Sequence, residues 1–156
     1  MKLPFYQIDA FTNKIFGGNP ACVVPLKEWL PNSTLLDIAK ENAVPETAFF
    51  IEHGERFHLR WFTPEIEMDL CGHATLATAH CLKTQMNYPK KEIVFETLSG
   101  DLTVAMYDEM YHLDFPSRMP IASELPKSIK NSLNIMPKEV YKSRDYVLVY
   151  DTEEEI

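Results

Sequence analysis

The stretch Glu67-Met68-Asp69-Leu70-Cys71-Gly72-His73-Ala74-Thr75-Leu76-Ala77-Thr78-Ala79-His80 decides the fold. Strand-like alternation stops at the Gly72-His73 pair and passes directly into helix-forming sequence. Between Leu70 and Leu82 there is no Asp, Glu, Lys or Arg. A helix on a protein surface carries a charged face, and a helix without one is enclosed on all sides. The stretch therefore predicts a buried apolar helix starting at Gly72, with something wrapped around it.

The flanking sequence supplies the wrapping. Phe5 to Phe11 alternates as a first strand, Gly17-Gly18-Asn19-Pro20 forms a turn, and Ala21 to Val24 is a short apolar strand. Asn32 or Ser33 caps a helix with Leu35, Ile38 and Ala39 at helical spacing, and Val44-Pro45 ends it. Thr47 to Ile51 reads as a buried strand. Arg56 to Trp61 follows with Phe57, Leu59 and Trp61 on one face, and Glu65 to Leu70 with Ile66, Met68 and Leu70 facing inward. Three more strands, Glu92 to Thr97, Asp101 to Tyr107 and Met110 to Phe115, are joined by tight hairpins at Ser99-Gly100 and Asp108-Glu109. The expected fold is α+β: a strongly curved, barrel-like antiparallel or mixed sheet around one central apolar helix. Phe115 to Pro120 is proline-rich and aperiodic, as domain boundaries are. Beyond it a short helix over Leu125 to Leu133 and a strand over Asp145 to Tyr150 are expected. That stretch is too short to bury a core of its own, since domains below ~40 residues need a metal, disulfides or a partner. It reads as the opening of a second domain, only begun.

Composition narrows the functional classes. The 156 residues are 46% hydrophobic and 24% charged, as in a globular domain. A formal charge of -8 argues against nucleic acid, which requires clustered Lys and Arg. No apolar run approaches the ~20 residues of a membrane span, so no membrane partner is expected. Met1-Lys2-Leu3-Pro4 lacks the apolar core of a signal peptide. The three cysteines, Cys22, Cys71 and Cys81, make no C-x-x-C pair and fit free thiols in a reducing cytoplasm.

Chemistry concentrates at the helix start. The amides of His73, Ala74 and Thr75 belong to a first turn without intrahelical acceptors, and Gly72 lets a ligand come close. With the positive end of the helix dipole they form a socket for a carboxylate or developing oxyanion, to which His73 adds a hydrogen bond. An ordinary turn followed by a hydrogen-bonded core histidine would give the same letters. Glu46 is the only charge between Glu41 and Glu52. A carboxylate in so apolar a stretch has its protonated form favoured by desolvation and suits proton transfer near neutral pH. A surface glutamate at a strand start reads the same way. Asn19 can orient a ligand through its amide or serve only the turn. Cys71, His73, His80 and Cys81 match no standard ligand spacing, so no metal is expected. The Cys71 thiol lies beside a helix N-terminus, where thiolate is favoured.

Gly17-Gly18-Asn19-Pro20-Ala21, Pro45-Glu46-Thr47-Ala48-Phe49, Arg60-Trp61-Phe62-Thr63-Pro64 and Met68-Asp69-Leu70-Cys71-Gly72-His73-Ala74-Thr75, in this order, resemble the phenazine-biosynthesis isomerase (PhzF-like) family. Ser99-Gly100, Asp114-Phe115-Pro116 and the run from Ser143 to Val149 extend the likeness over the chain, but over only the first half of the family pattern. The resemblance implies a fold similar to diaminopimelate epimerase: two related domains, each a curved sheet around a central helix, with the active site between them. It divides the chain into a complete epimerase-like domain (1–116), a linker (117–126) and the start of an incomplete second domain (127–156). It also implies a cofactor-independent isomerase acting on a small carboxylated ring. Glu46 would move the proton, Gly72, His73, Ala74 and Thr75 would bind and polarise the ligand, and Asn19 would help line the pocket. The family's second half supplies an aspartate and a Gly-Ser-Ala helix start, whereas no glycine follows Gly100 here. The chain by itself is therefore expected to be inactive or nearly so. Two alternatives stand beside this reading. One is an amino-acid epimerase or racemase using Cys71, which occupies the place of one of the epimerase's two catalytic thiols. The other is a non-catalytic domain that associates through an exposed face, a homodimer included.

Overall fold

The computed structural model describes residues 2–156, which fall into one unit ending at Phe115 and another from Pro116 to Ile156. In the first, the strands are β1 (Tyr6–Ala10), β2 (Asn19–Pro25), β3 (Glu46–His53), β4 (Arg56–Phe62), β5 (Glu67–Met68), β6 (Glu92–Thr97), β7 (Gly100–Tyr107) and β8 (Met110–Asp114). The helices are α1 (Asn32–Asn42) and α2 (Gly72–Thr84). The strands form one curled mixed sheet in the order β1-β2-β3-β4-β6-β7-β8, with β5 added beside β4. Two neighbouring pairs, β2 with β3 and β4 with β6, run parallel, and the others are antiparallel.

The parallel pairs have a simple cause. Antiparallel neighbours can be joined by a tight hairpin, whereas parallel ones need a crossover of a dozen or more residues, usually a helix. Here α1 makes the first crossover and β5 with α2 the second. Strand alternation then assigns each helix its own face of the sheet. Ala21 and Val23, Ala48 and Phe50, and Phe57, Leu59 and Trp61 pack with the α2 residues Ala74, Ala77, Ala79, Cys81 and Leu82. The intervening Val24, Phe49 and Phe62 pack with Leu35 and Ala39 of α1.

α2 buries most of its surface but is not enclosed on all sides: His73, Ala74, Thr75, Ala77, Thr78, Ala79, Cys81 and Leu82 are buried, whereas Gly72, Leu76 and His80, spaced one turn apart on one face, are only partly so. Its threonines survive burial by returning to their own helix: Thr75 Oγ1 donates to Cys71 O at 2.6 Å and Thr78 Oγ1 to Ala74 O at 2.7 Å. All three cysteines are free and buried.

Several local expectations are corrected. Neither Asn32 nor Ser33 caps α1. Pro31 occupies the cap position, and the Asn32 side chain instead accepts a hydrogen bond from Arg60 Nη2 at 2.9 Å. The strand expected over Glu65 to Leu70 shrinks to Glu67–Met68, because Thr63 Oγ1 accepts the amides of Glu65 and Ile66 and holds them in a turn. Ile66 is consequently exposed rather than inward-facing.

The second unit contains β9 (Ile121–Ala122), α3 (Lys127–Lys130), β10 (Glu139–Lys142) and β11 (Tyr146–Val149). Its antiparallel sheet has the order β11-β10-β9. β9 falls within the stretch read as a linker. The expected helix contracts to a single turn, which Ser132 closes by donating from its amide and hydroxyl to Ile129 O. No described side chain of this unit is fully buried. No described helix is long and apolar enough to cross a membrane.

Candidate active site

Glu46 opens β3 and, with Ala48 and Phe50, points to the α2 face of the sheet. The parallel register sets it beside Ala21, two residues after Asn19, so Asn19 shares that face. Gly18 holds Asn19 at the head of β2. Its φ is +79°, and a Cβ there would come within 2.4 Å of Ala10 O, so only glycine fits.

His73, in the first turn of α2, meets Glu46 across this face. Nε2 lies 3.2 Å from Glu46 Oε2, with the two side chains only 9% and 16% exposed. Their relative orientation makes no hydrogen bond, and both atoms are buried without a hydrogen-bonding partner. On the other edge of the ring, Nδ1 lies 3.5 Å from Cys71 Sγ. Glu46, Cys71 and His73 thus bring one donor atom each within 4.8 Å of one another. The thiol is not the activated thiolate that a helix N-terminus suggests. Burial pushes it up to about 12; the Ala74 amide draws it down, without completing a capping bond, and the negative charge of Glu46 adds to the rise. Desolvation here outweighs the helix dipole.

Cys71 and Glu46 lie nearest to different nitrogens of one imidazole, and the three residues are close enough for one donor atom of each to reach a common ion, which the spacing in the sequence did not suggest. His80 stands apart, 3.2 Å from the Tyr111 hydroxyl, and Cys81 lies in the core.

The remaining expected residues separate into two groups. The Gly72 and His73 amides begin the helix and have no intrahelical acceptor. Gly72 is not in the left-handed region, and a Cβ on it would meet only Phe115 Cε2 at 3.5 Å, so the protein itself does not require glycine there. Ala74 is fully buried with its amide turned to the Cys71 sulfur. Thr75 is a turn too deep: its amide and its hydroxyl both donate to Cys71 O. Two further residues near this face were read in the sequence only as parts of the fold and of the family motifs. Trp61, on the same sheet face, has a buried Nε1 without a partner. Ser99 donates from its hydroxyl to Asp69 O at 2.7 Å and so holds the β6–β7 hairpin near the entrance to α2. A cavity of about 640 Å³ lined by Leu3, Leu26, Leu30, Phe50 and Met86, among others, includes none of the three clustered residues.

Residues 8–146 match the family described as phenazine biosynthesis-like protein. The chain belongs to this family. A relative from Pseudomonas aeruginosa, named only as an uncharacterized isomerase, is 42% identical over 156 residues, covering 100% of this chain and 60% of its own. The crystal structure of a phenazine biosynthesis protein of the PhzF family from Enterococcus faecalis superposes with a TM-score of 0.88 at 42% identity, covering 100% of this chain and 60% of that one. A structure described as a predicted epimerase from P. aeruginosa shares the fold alone, with a TM-score of 0.68 at 18% identity over 94% of this chain and 58% of the other. The chain thus spans about 60% of the length of the P. aeruginosa isomerase and of the E. faecalis protein.

Proposed function

We propose that this chain carries one wall of a cofactor-independent isomerase site that shifts a proton on a small carboxylated ring. Glu46 takes and returns the proton. The open amides of Gly72 and His73, with the His73 ring, hold the carboxylate or the charge that develops as the C–H bond weakens. Asn19 lines the same face. The reading rests on one observation, the approach of Glu46 Oε2 to His73 Nε2 at 3.2 Å with neither atom hydrogen-bonded. A buried polar atom without a partner costs about 1–3 kcal/mol, and a ligand that supplies the missing bonds recovers that cost.

Positioning and exclusion of water give proton transfer much of its rate, and one wall supplies little of either. Binding is therefore expected of this chain, and turnover hardly at all. Titrating a dihydroxyanthranilate-type carboxylate into the isotopically labelled chain should shift the amide resonances of Gly72 and His73 first. Shifts centred elsewhere contradict the site. Rapid turnover by the purified chain, lost in Glu46→Gln, contradicts the expectation of inactivity. A racemase using Cys71 is the weaker reading, because a thiol raised to about 12 holds its proton at neutral pH.

A further inference from the structure

Glu46 and His73 account for the proton and the ligand, but Cys71 has no part in that account, although its sulfur lies 3.5 Å from His73 Nδ1. A neutral imidazole carries one proton, on either nitrogen, and the neighbours of the two nitrogens decide which. Here those neighbours differ. Nε2 faces a carboxylate oxygen at 3.2 Å, which can only accept, and Nδ1 faces a thiol sulfur at 3.5 Å, which can donate.

We propose that Cys71 is a positioning residue that sets the tautomer of His73: its S–H donates to Nδ1, so the ring carries its proton on Nε2, on the side of Glu46. Two observations converge on this direction. The sulfur stands at Nδ1 with burial keeping its proton on well beyond neutral pH, so it has a proton to give. The Glu46 carboxylate, beside Nε2, favours a proton on the nitrogen nearest to it. The polarity then runs from the thiol to Nδ1 and leaves an Nε2–H on the Glu46 side of the ring that no protein group accepts. No atom changes its bonding partners; the thiol fixes which ring nitrogen offers its proton to a ligand.

The catalytic meaning of this arrangement rests on the isomerase reading above, but the tautomer does not, and the test separates the two. The full chain with 15N-labelled histidine is measured by NMR at slightly alkaline pH, with His73→Gln assigning the resonance among the five histidines. The expected result is an N–H-type shift for Nε2 and an acceptor-type shift for Nδ1, displaced by a hydrogen bond. In Cys71→Ala the Nδ1 signal should move to the position of an unbonded acceptor, and Cys71→Ser should restore it. A parallel infrared measurement should find the Cys71 S–H stretch lowered, rising to the unbonded position in His73→Gln. A proton on Nδ1, an Nδ1 shift indifferent to Cys71→Ala, or an S–H band indifferent to His73→Gln overturns the proposal. The tautomer and S–H readings on the native chain stand even if the alanine variant does not fold. Their failure leaves the ligand-induced shifts at Gly72 and His73 untouched.

Discussion

The two faces of the curled sheet both bury charge, and they treat it in opposite ways. On the α1 face, Arg60 donates to both oxygens of Glu67 at 2.7 Å and to Asn32 Oδ1 at 2.9 Å. Its guanidinium lies 5.0 Å from the Trp29 ring and 5.1 Å from the Phe62 ring. Trp29 Nε1 in turn donates to His58 Nδ1 at 3.2 Å. On the α2 face, Glu46 Oε2, His73 Nε2 and Trp61 Nε1 are all buried and all without hydrogen bonds. Folding tolerates unpaired buried groups only where something else gains from them. The first face satisfies its buried polar groups and the second leaves three of them unpaired, as the proposed ligand site requires.

Breaking the satisfied face should have the largest effect. Arg60→Ala leaves the half-buried carboxylate of Glu67 alone and should lower unfolding stability by about 3 kcal/mol, read from denaturant midpoints. Gly18→Ala should cost about 2 kcal/mol, since it forces a Cβ onto the Ala10 carbonyl in a left-handed conformation, and it should also move the Asn19 amide resonance. Alkali offers a third test. Burial raises Cys71 to about 12 and Cys22 and Cys81 to about 11, against an ordinary value of 9.0. Thiols that ionise at lower pH when unfolded contribute stability below pH 9 that is lost as pH rises through the folded values. Each removes about 1.4 kcal/mol per pH unit between 9 and its folded value, and nothing further above it. Replacing Cys22 with Ala should flatten that loss on a pH series of melting curves.

How much of this was legible in the sequence follows the same division. The missing charges between Leu70 and Leu82 and the alternation of Phe57, Leu59 and Trp61 announce the buried helix and its sheet face, because both are periodic burial signals. The nearness of Glu46 to His73 is a tertiary fact, reached in the sequence through the family motifs and not through spacing. Three features were not legible. The Thr63 turn cuts β5 short through a side-chain bond that no periodicity records. Asn32 leaves its capping role for Arg60, which is 28 positions away. The ionisation of Cys71 depends on how deeply the sulfur is buried, and the helix dipole alone suggested the opposite.

The smallest effect sharpens the contrast most. Gly72→Ala meets nothing closer than Phe115 at 3.5 Å and should change stability by less than about 0.5 kcal/mol. It should nonetheless weaken carboxylate binding by about tenfold, because its methyl group crowds the open amides. Unchanged binding in this variant would remove the socket from the account.

A pair of double-mutant cycles on stability tests the central claim most directly, one on Arg60 and Glu67 and the other on Glu46 and His73. The account predicts a coupling of about 2 kcal/mol or more for the first pair and less than about 0.5 kcal/mol for the second, whose atoms stand 3.2 Å apart without a bond. A Glu46–His73 coupling as large as that of Arg60–Glu67 would make it a structural ion pair and contradict the account.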